Sequence, residues 1–281
     1  MAIEIRYSDA PLGHEICGVD LAQPLSDSTF ADIEKAFNDC GVVVIRDQKL
    51  TPAQHLAFTR RLGETERYPV GNFTLPGHDD ILVVSNILEN GQPIGLIDAG
   101  RNWHSDMLFT EKPPRCSLLY CLEVPQQDGK AVGDTLFAST AAAYEGLSAD
   151  LKNRLTGLKA RHSFSTYAST KTDGREKEGA AFPDVVHPLV RTHPITGKKC
   201  LYLSHSLTQT IGDRSETETA DLVRQLITHI TSAPYVYRHN WRVGDLVIWD
   251  NCSSMHRAMF DYALPQRRRM HRTTVTGGRP F

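Results

Sequence analysis

The 281-residue chain has no run approaching the ~18 consecutive apolar residues that a membrane-spanning helix needs. Its opening stretch, MAIEIRYSDAPLGHEICGVDL, contains no apolar segment of the signal-peptide kind. A basic excess is also missing, because 31 Lys and Arg stand against 33 Asp and Glu, for a net charge of -2. A surface that holds phosphates usually needs the opposite balance, so nucleic acid is not an expected partner. The six cysteines form no Cys-x-x-Cys pair and are expected to be reduced thiols. No internal repeat, low-complexity tract or long Pro/Gly/Ser linker divides the sequence. The expectation is one cytoplasmic domain over residues 1–281, with no membrane and no nucleic acid as partner.

What is present is a helical start and a strand-rich remainder. LSDSTFADIEKAFNDCG carries Phe30, Ile33 and Phe37 at helical spacing, with Ser or Asp as N-cap and Gly41 as a stop. GVVVIRDQ follows as a buried strand. TPAQHLAFTRRLG begins a second helix, with Thr51 as N-cap and Pro52 in its first turn; His55 is expected on a surface helix. Then come DDILVVSNI, RCSLLYCLEVP, GDTLFAS, HPLVRTHP, KKCLYLS, YVYRHNW, DLVIWDN and RMHRTTVTG, short runs rich in β-branched and aromatic residues. THPITGKKCLYL predicts a hairpin with Thr196-Gly197 in its turn. Helices are expected from Ala141 to about His162 and from about Glu216 to Ser232. Residues 166–182, TYASTKTDGREKEGAAF, are polar and form a candidate lid. The fold class is therefore mainly β with peripheral helices, a sandwich or jelly roll.

The chemistry begins in NWHSDMLF. On a strand, His104 and Asp106 point to the same side. An imidazole and a carboxylate could then hold two adjacent positions on a metal, although His-x-Asp also arises by chance. Among the other histidines, His187 and His193 stand beside prolines as strand-end residues, His229 lies on a helix and His239 in a polar strand. His256 differs, because it follows the apolar strand VGDLVIWDN in NCSSMHRAMFDY. Two histidines and one carboxylate would leave a metal with open positions, the arrangement of non-haem Fe(II) oxygenases. If 2-oxoglutarate supplies the electrons, its far carboxylate needs a cation, and arginine suits it because its planar fork matches a carboxylate. In QRRRMHRTTVTG, period two sets Arg268, Met270 and Arg272 on one face and Arg267, Arg269 and His271 on the other. Either this run is a solvated edge, or its inward arginines meet anions.

These residues, with GVVVIRDQKLTPAQHLAFTRRLG, GDTLF, HPLVRTHPITGKKCLYL and GDLVIWDN in the same order, resemble the Fe(II)- and 2-oxoglutarate-dependent dioxygenases of the taurine dioxygenase and 2,4-dichlorophenoxyacetate dioxygenase family. The resemblance covers nearly the whole chain. It implies a double-stranded β-helix, a cupin-like jelly roll, with Fe(II) on His104, Asp106 and His256. It implies 2-oxoglutarate on Arg268 and Thr135, with Arg272 either beside the iron-bound end of 2-oxoglutarate or on the acidic group of the substrate. O2 is the third reactant. Trp249 and Asn251 are implied as structural neighbours, and a homodimer or homotetramer as the assembly.

The substrate end departs from the taurine pattern. Tyr68 and Gly71 stand where a His and a Tyr are found, Gly100 where an Asn is found, and Leu207 where a Phe is found, whereas Phe164 matches. Tyr68, Phe164, Leu207, Asn102, Met107 and Arg272 are the candidate substrate contacts. The expected activity is hydroxylation of a small anionic molecule (an aryloxyalkanoate, sulfonate or sulfate ester), releasing succinate and CO2. Two alternatives stand beside it: hydroxylation or desaturation of a larger metabolite in a biosynthetic pathway, and a non-catalytic jelly roll that keeps a metal only for structure.

Overall fold

The computed structural model describes residues 3–69, 73–97, 100–165 and 182–281. Its centre is an eight-stranded sheet in the order Glu4–Arg6, His14–Cys17, Val42–Ile45, Leu246–Asp250, Cys116–Glu123, Arg269–Val275, His78–Ser85 and Thr74–Leu75. Neighbours run antiparallel except His14–Cys17 against Val42–Ile45. The central strands are apolar on both sides because both sides are covered. Val43, Ile45, Leu118, Tyr120, Leu246, Ile248 and Val275 pack beneath two helices. Val42, Val44, Leu119, Cys121, Val247, Trp249 and Met270 face the other way, toward Phe137.

The covering helices are those anticipated. Asp27–Cys40 is capped by Ser26, whose side chain accepts from Thr29 N–H, and ends on Gly41 at φ 79°. Pro52–Leu62 starts in a capping box between Thr51 and Gln54. His55 is not on a solvated face of this second helix, as expected from sequence, but buried, with its Nε2 3.2 Å from Thr273 Oγ1. It lies one helical turn before Thr59 and shares the buried stripe of Leu62. His271 is likewise buried, since its face of the strand looks into this helix layer rather than into water.

Phe137 belongs to a three-stranded sheet, Val236–His239, Thr135–Ser139 and Ser254–Ala258, which packs against the large sheet. A further sheet pairs Val185–Pro188, Lys159–His162 and Thr208–Ile211. Val190–Thr192 and Lys199–Leu201 form the expected hairpin, with Gly197 at φ 71° in its turn. The helix Glu216–Ile230 begins in a Ser215–Glu218 capping box and buries Leu222, Val223, Leu226 and Ile230.

Two further expectations are corrected. Residues 141–162 are not one helix. Thr140–Glu145 stops at Gly146, Ser148 caps a new helix over Ala149–Leu155, and Gly157 at φ 76° leads into the strand Lys159–His162. His239, expected in a polar strand, is turned inward and wholly buried, with its Nε2 3.1 Å from Asp245 Oδ2. Among the described residues no helix is long and apolar enough to cross a membrane. The candidate lid, apart from Phe182, and Gly71 lie outside the described residues.

Candidate active site

His104 and Asp106 do not sit on a regular strand. His104 forms an isolated antiparallel bridge with His256, and the chain turns immediately after Asp106. Met107 takes the left-handed φ of 46°, and Thr110 N–H closes the turn on its carbonyl at 2.9 Å. His104 and Asp106 nevertheless reach one side, as alternation was expected to bring about, and the bridge adds His256 to them. It sets the two imidazoles side by side, ring centres 4.1 Å apart, at the edge of the three-stranded sheet. Asp106 Oδ1 is 3.7 Å from His104 Nε2 and 3.8 Å from His256 Nε2. Two ligands each about 2.0–2.2 Å from one ion can be no more than about 4.4 Å apart, so each of these pairs fits a shared metal.

The donors are also in the right chemical state. His104 Nδ1 lies 2.8 Å from the Asn102 carbonyl, to which it donates, leaving the Nε2 lone pair for a metal. Asn102 thus acts through its backbone, and its side chain is exposed rather than gathered with the other candidate substrate contacts. Burial, helped by His104 and Arg272 and opposed by Asp106, pushes His256 down to about 3, so its imidazole is neutral. Burial opposes ionisation of Asp106. Arg272, His256, His104 and the Ser117 hydroxyl together outweigh it and hold the carboxyl well below the usual carboxylate range.

Asp106 is anchored by residues that sequence reasoning either missed or named only as neighbours. Its Oδ2 accepts from Ser117 Oγ at 2.7 Å and from Trp249 Nε1 at 3.1 Å. Asn251 closes the ring, its Oδ1 accepting from Asp106 N–H at 3.2 Å and its Nδ2 donating to Ser117 Oγ at 3.3 Å. With Oδ2 occupied, only Oδ1 is turned to the histidines.

Arg268 and Arg272 reach the same cavity as His104, His256 and Thr135. Arg268 is fixed by its own backbone: its N–H donates to Asn86 Oδ1 at 2.8 Å and its carbonyl accepts from Ser85 Oγ at 2.8 Å. Among the described residues its side chain is nearly unpartnered, with Nε buried without an acceptor. The Arg272 guanidinium meets Asp106 Oδ1 at 3.1 Å and lies over the Tyr68 ring at 5.1 Å. A protein carboxylate thus already meets Arg272 Nη1. Its Nε and Nη2 remain buried without acceptors among the described residues. Gly100, at φ 84°, also lines the cavity, and a Cβ there would stand 3.3 Å from His104 Cε1.

Met107, Phe164 and Leu207 join Leu108, Phe109 and Tyr202 in one buried cluster, with Tyr68 and Phe182 against it. Phe109 stacks on Phe164 at 4.3 Å. Four of the five uncharged candidate substrate contacts thus come together, and of these Tyr68 lies against Arg272. A second group of metal-type side chains, His193, Asp250 and Cys252, has different chemistry. His193 Nδ1 accepts from Ile195 N–H and Thr196 N–H at 3.2 and 3.1 Å. Nε2 therefore carries the proton and donates it to Asp250 Oδ2 at 3.0 Å. That network is satisfied without an ion. All six cysteines are free.

The sequence profile described as taurine catabolism dioxygenase TauD, TfdA family matches residues 4–274. Pentalenolactone F synthase of Streptomyces arenae is 33% identical over 95% of this chain and 92% of its own length. The alpha-ketoglutarate-dependent 2,4-dichlorophenoxyacetate dioxygenase of Burkholderia sp. (strain RASC) is 32% identical over 99% of this chain and 96% of its own. The crystal structure of AAD-2 with Mn(II) and N-oxalylglycine superposes with a TM-score of 0.83 at 33% identity, covering 100% of this chain and 99% of that one.

Proposed function

The chain belongs to the TauD/TfdA family of 2-oxoglutarate-dependent dioxygenases, and from that premise we propose that it is an iron enzyme of one jelly-roll domain that hydroxylates a small anionic substrate. The observation that carries this reading is the meeting of His104, His256, Thr135, Arg268 and Arg272 around one cavity, with Asp106 behind it. One O2 and one 2-oxoglutarate are consumed. One oxygen atom leaves in succinate, the other becomes the hydroxyl on the substrate carbon, and CO2 is released.

His104, Asp106 and His256 hold the metal, and Arg268 with the Thr135 hydroxyl binds the far carboxylate of 2-oxoglutarate. Iron(II) bound there supplies the redox chemistry that activates O2. The protein contributes position and dryness. Ser117 and Trp249 keep one carboxylate oxygen of Asp106 away from the metal. Arg272 balances the Asp106 charge with Nη1 and presents Nε and Nη2 to the substrate acid. Tyr68, Met107, Phe164 and Leu207 receive its apolar body. With Arg268 committed to 2-oxoglutarate and Nη1 of Arg272 to Asp106, the remaining Nε and Nη2 of Arg272 favour an anion over a neutral molecule.

A larger metabolite oxidised or desaturated in a biosynthetic pathway is the second reading, supported by the similarity to pentalenolactone F synthase. A cytoplasmic location is supported by six free thiols. Assembly as a dimer or tetramer rests on family resemblance. The test is succinate release with Fe(II) and 2-oxoglutarate across a panel of small carboxylates, sulfonates and sulfates. Stimulation by one acidic class supports the reading; stimulation only by large neutral compounds favours the second.

A further inference from the structure

The corner of the cavity assigned to the far carboxylate contains a hydrogen bond with a consequence for ligand recognition. Trp241 Nε1 donates to Thr135 Oγ1 at 3.0 Å, and the two side chains are 1% and 4% exposed. An indole nitrogen can only donate. The Thr135 oxygen must therefore accept, and its single O–H proton is directed elsewhere. Among the described residues that proton has no acceptor. Beside it, Arg268 Nη1 and Nη2 find only the Tyr262 hydroxyl and the Met270 sulfur, both at 3.4 Å. Among the described residues the corner thus presents the Thr135 O–H and the Arg268 guanidinium as donors, and no carboxylate meets either.

Trp241 touches both halves of this corner. The Arg268 guanidinium lies 5.9 Å from the Trp241 ring centre and 5.9 Å from that of Tyr262. Trp241 is itself fixed from behind. The His239 ring meets it edge-on at 4.4 Å, and His239 Nδ1 is 3.1 Å from the Tyr237 hydroxyl. A hydroxyl held this way does not need to choose between donating and accepting when a carboxylate arrives.

We propose that Trp241 is a positioning residue for the co-substrate: its indole N–H makes the Thr135 hydroxyl an obligate donor to the far carboxylate of 2-oxoglutarate, alongside Arg268. The inference rests on the assignment of Arg268 and Thr135 made under the proposed function. It predicts discrimination as well as affinity. A 2-oxo acid without a far carboxylate, such as pyruvate, gains nothing from Trp241, and a ligand ending in a neutral group gains less than one ending in an anion.

The experiment measures 2-oxoglutarate and pyruvate binding to the Zn(II)-loaded protein by calorimetry and NMR titration. One neutral hydrogen bond corresponds to a change of about 3- to 10-fold in dissociation constant. Trp241→Phe is expected to weaken 2-oxoglutarate by that factor, to leave pyruvate unchanged, and to add less than about twofold when combined with Thr135→Val. Equal losses from Trp241→Phe with and without Thr135→Val, or equal losses for both ligands, overturn the proposal. Should Trp241→Phe fail to fold, the wild-type protein still decides. The chain has three tryptophans, so three indole N–H signals are expected. The signal displaced by Thr135→Val must also move with 2-oxoglutarate and not with pyruvate; a signal indifferent to 2-oxoglutarate overturns the role. Arg268→Ala separates the two levels of inference. It is expected to weaken 2-oxoglutarate about 10- to 150-fold. If it does not, the co-substrate site itself is misassigned. If it does while Trp241 and Thr135 act independently, the co-substrate site stands and only the role of Trp241 is rejected.

Discussion

His104 and His256 exchange two backbone hydrogen bonds, His104 N–H to the His256 carbonyl at 3.1 Å and His256 N–H to the His104 carbonyl at 2.8 Å. The imidazoles are thereby paired by main chain, not by the ion they are proposed to share. A metal site built this way is formed before the metal arrives, and its side chains can be removed without removing the pairing.

The first prediction follows from that pairing. His104→Ala keeps the backbone bridge, so the fold and its melting temperature should change little while metal binding and succinate production are lost. Asp106→Ala is a harsher variant, because it also strips Arg272 of its carboxylate. Leaving a buried charge unpaired costs roughly 3–5 kcal/mol. Circular dichroism, thermal melting and a metal titration check both. A His104→Ala protein that binds iron and turns over normally would remove it from the ligand set.

Ser117 and Trp249 hold Asp106 Oδ2, and loss of such a partner commonly costs about 10- to 100-fold in metal affinity. Ser117→Ala removes the shorter of the two bonds with little change in volume. The expected result is a metal dissociation constant raised within that range, with 2-oxoglutarate affinity at saturating metal nearly unchanged. A titration with Mn(II) or Fe(II) measures it, and wild-type metal affinity would show that the second oxygen needs no anchor.

How much of this was legible in the sequence depended on whether the signal was local. His104 and Asp106 are two residues apart, and the parity of Arg268 and Arg272 marks one face of a strand whatever that strand packs against. The apolar runs through Val42–Ile45 and Leu246–Asp250 announced strands buried on both sides, as they are. The position of His55 was recoverable in principle, since His55, Thr59 and Leu62 fall on one helical stripe, but polar side chains hid the pattern. The break near Gly146 was also written locally, in a glycine followed by the capping serine Ser148. Ser117 was not recoverable, because nothing in CSLLYC distinguishes a hydroxyl that serves Asp106 from a small core residue. The Trp241–Thr135 contact likewise spans strands that meet only in the folded chain.

Stability should fall as pH drops through the histidine range. Burial pushes His55 and His162 down to about 3 and His271 to about 4. The same side chains titrate near 6.5 once unfolded. Between about pH 6.5 and pH 4 the unfolded chain therefore binds protons that the folded chain refuses. The stabilisation is full above the unfolded value and is lost as pH falls. The urea midpoint is expected to decline steadily from pH 7 to pH 4. His162→Phe removes one of these groups and should make the decline shallower. A midpoint constant across that window would show that these histidines accept protons without unfolding the protein.

The last prediction concerns Arg272, whose partners divide into two sets. Nη1 is committed to Asp106, while Nε and Nη2 are buried without acceptors among the described residues. Arg272→Gln should therefore produce two separable losses. Metal affinity changes because Asp106 loses the charge that helps keep it ionised, and this loss is the same whichever substrate is present. Affinity for an acidic substrate falls further, by about 10- to 150-fold if one charge-assisted hydrogen bond is lost. The comparison is between an acid and its neutral amide or ester of matched shape, at saturating Fe(II) and 2-oxoglutarate, so that the first loss is held out of the measurement. Under the proposed role the acid suffers far more than the amide. Equal losses would mean that Arg272 serves Asp106 alone. If the wild-type enzyme prefers the neutral compound, the substrate is not anionic, and Nε and Nη2 of Arg272 face the metal-bound end of 2-oxoglutarate instead.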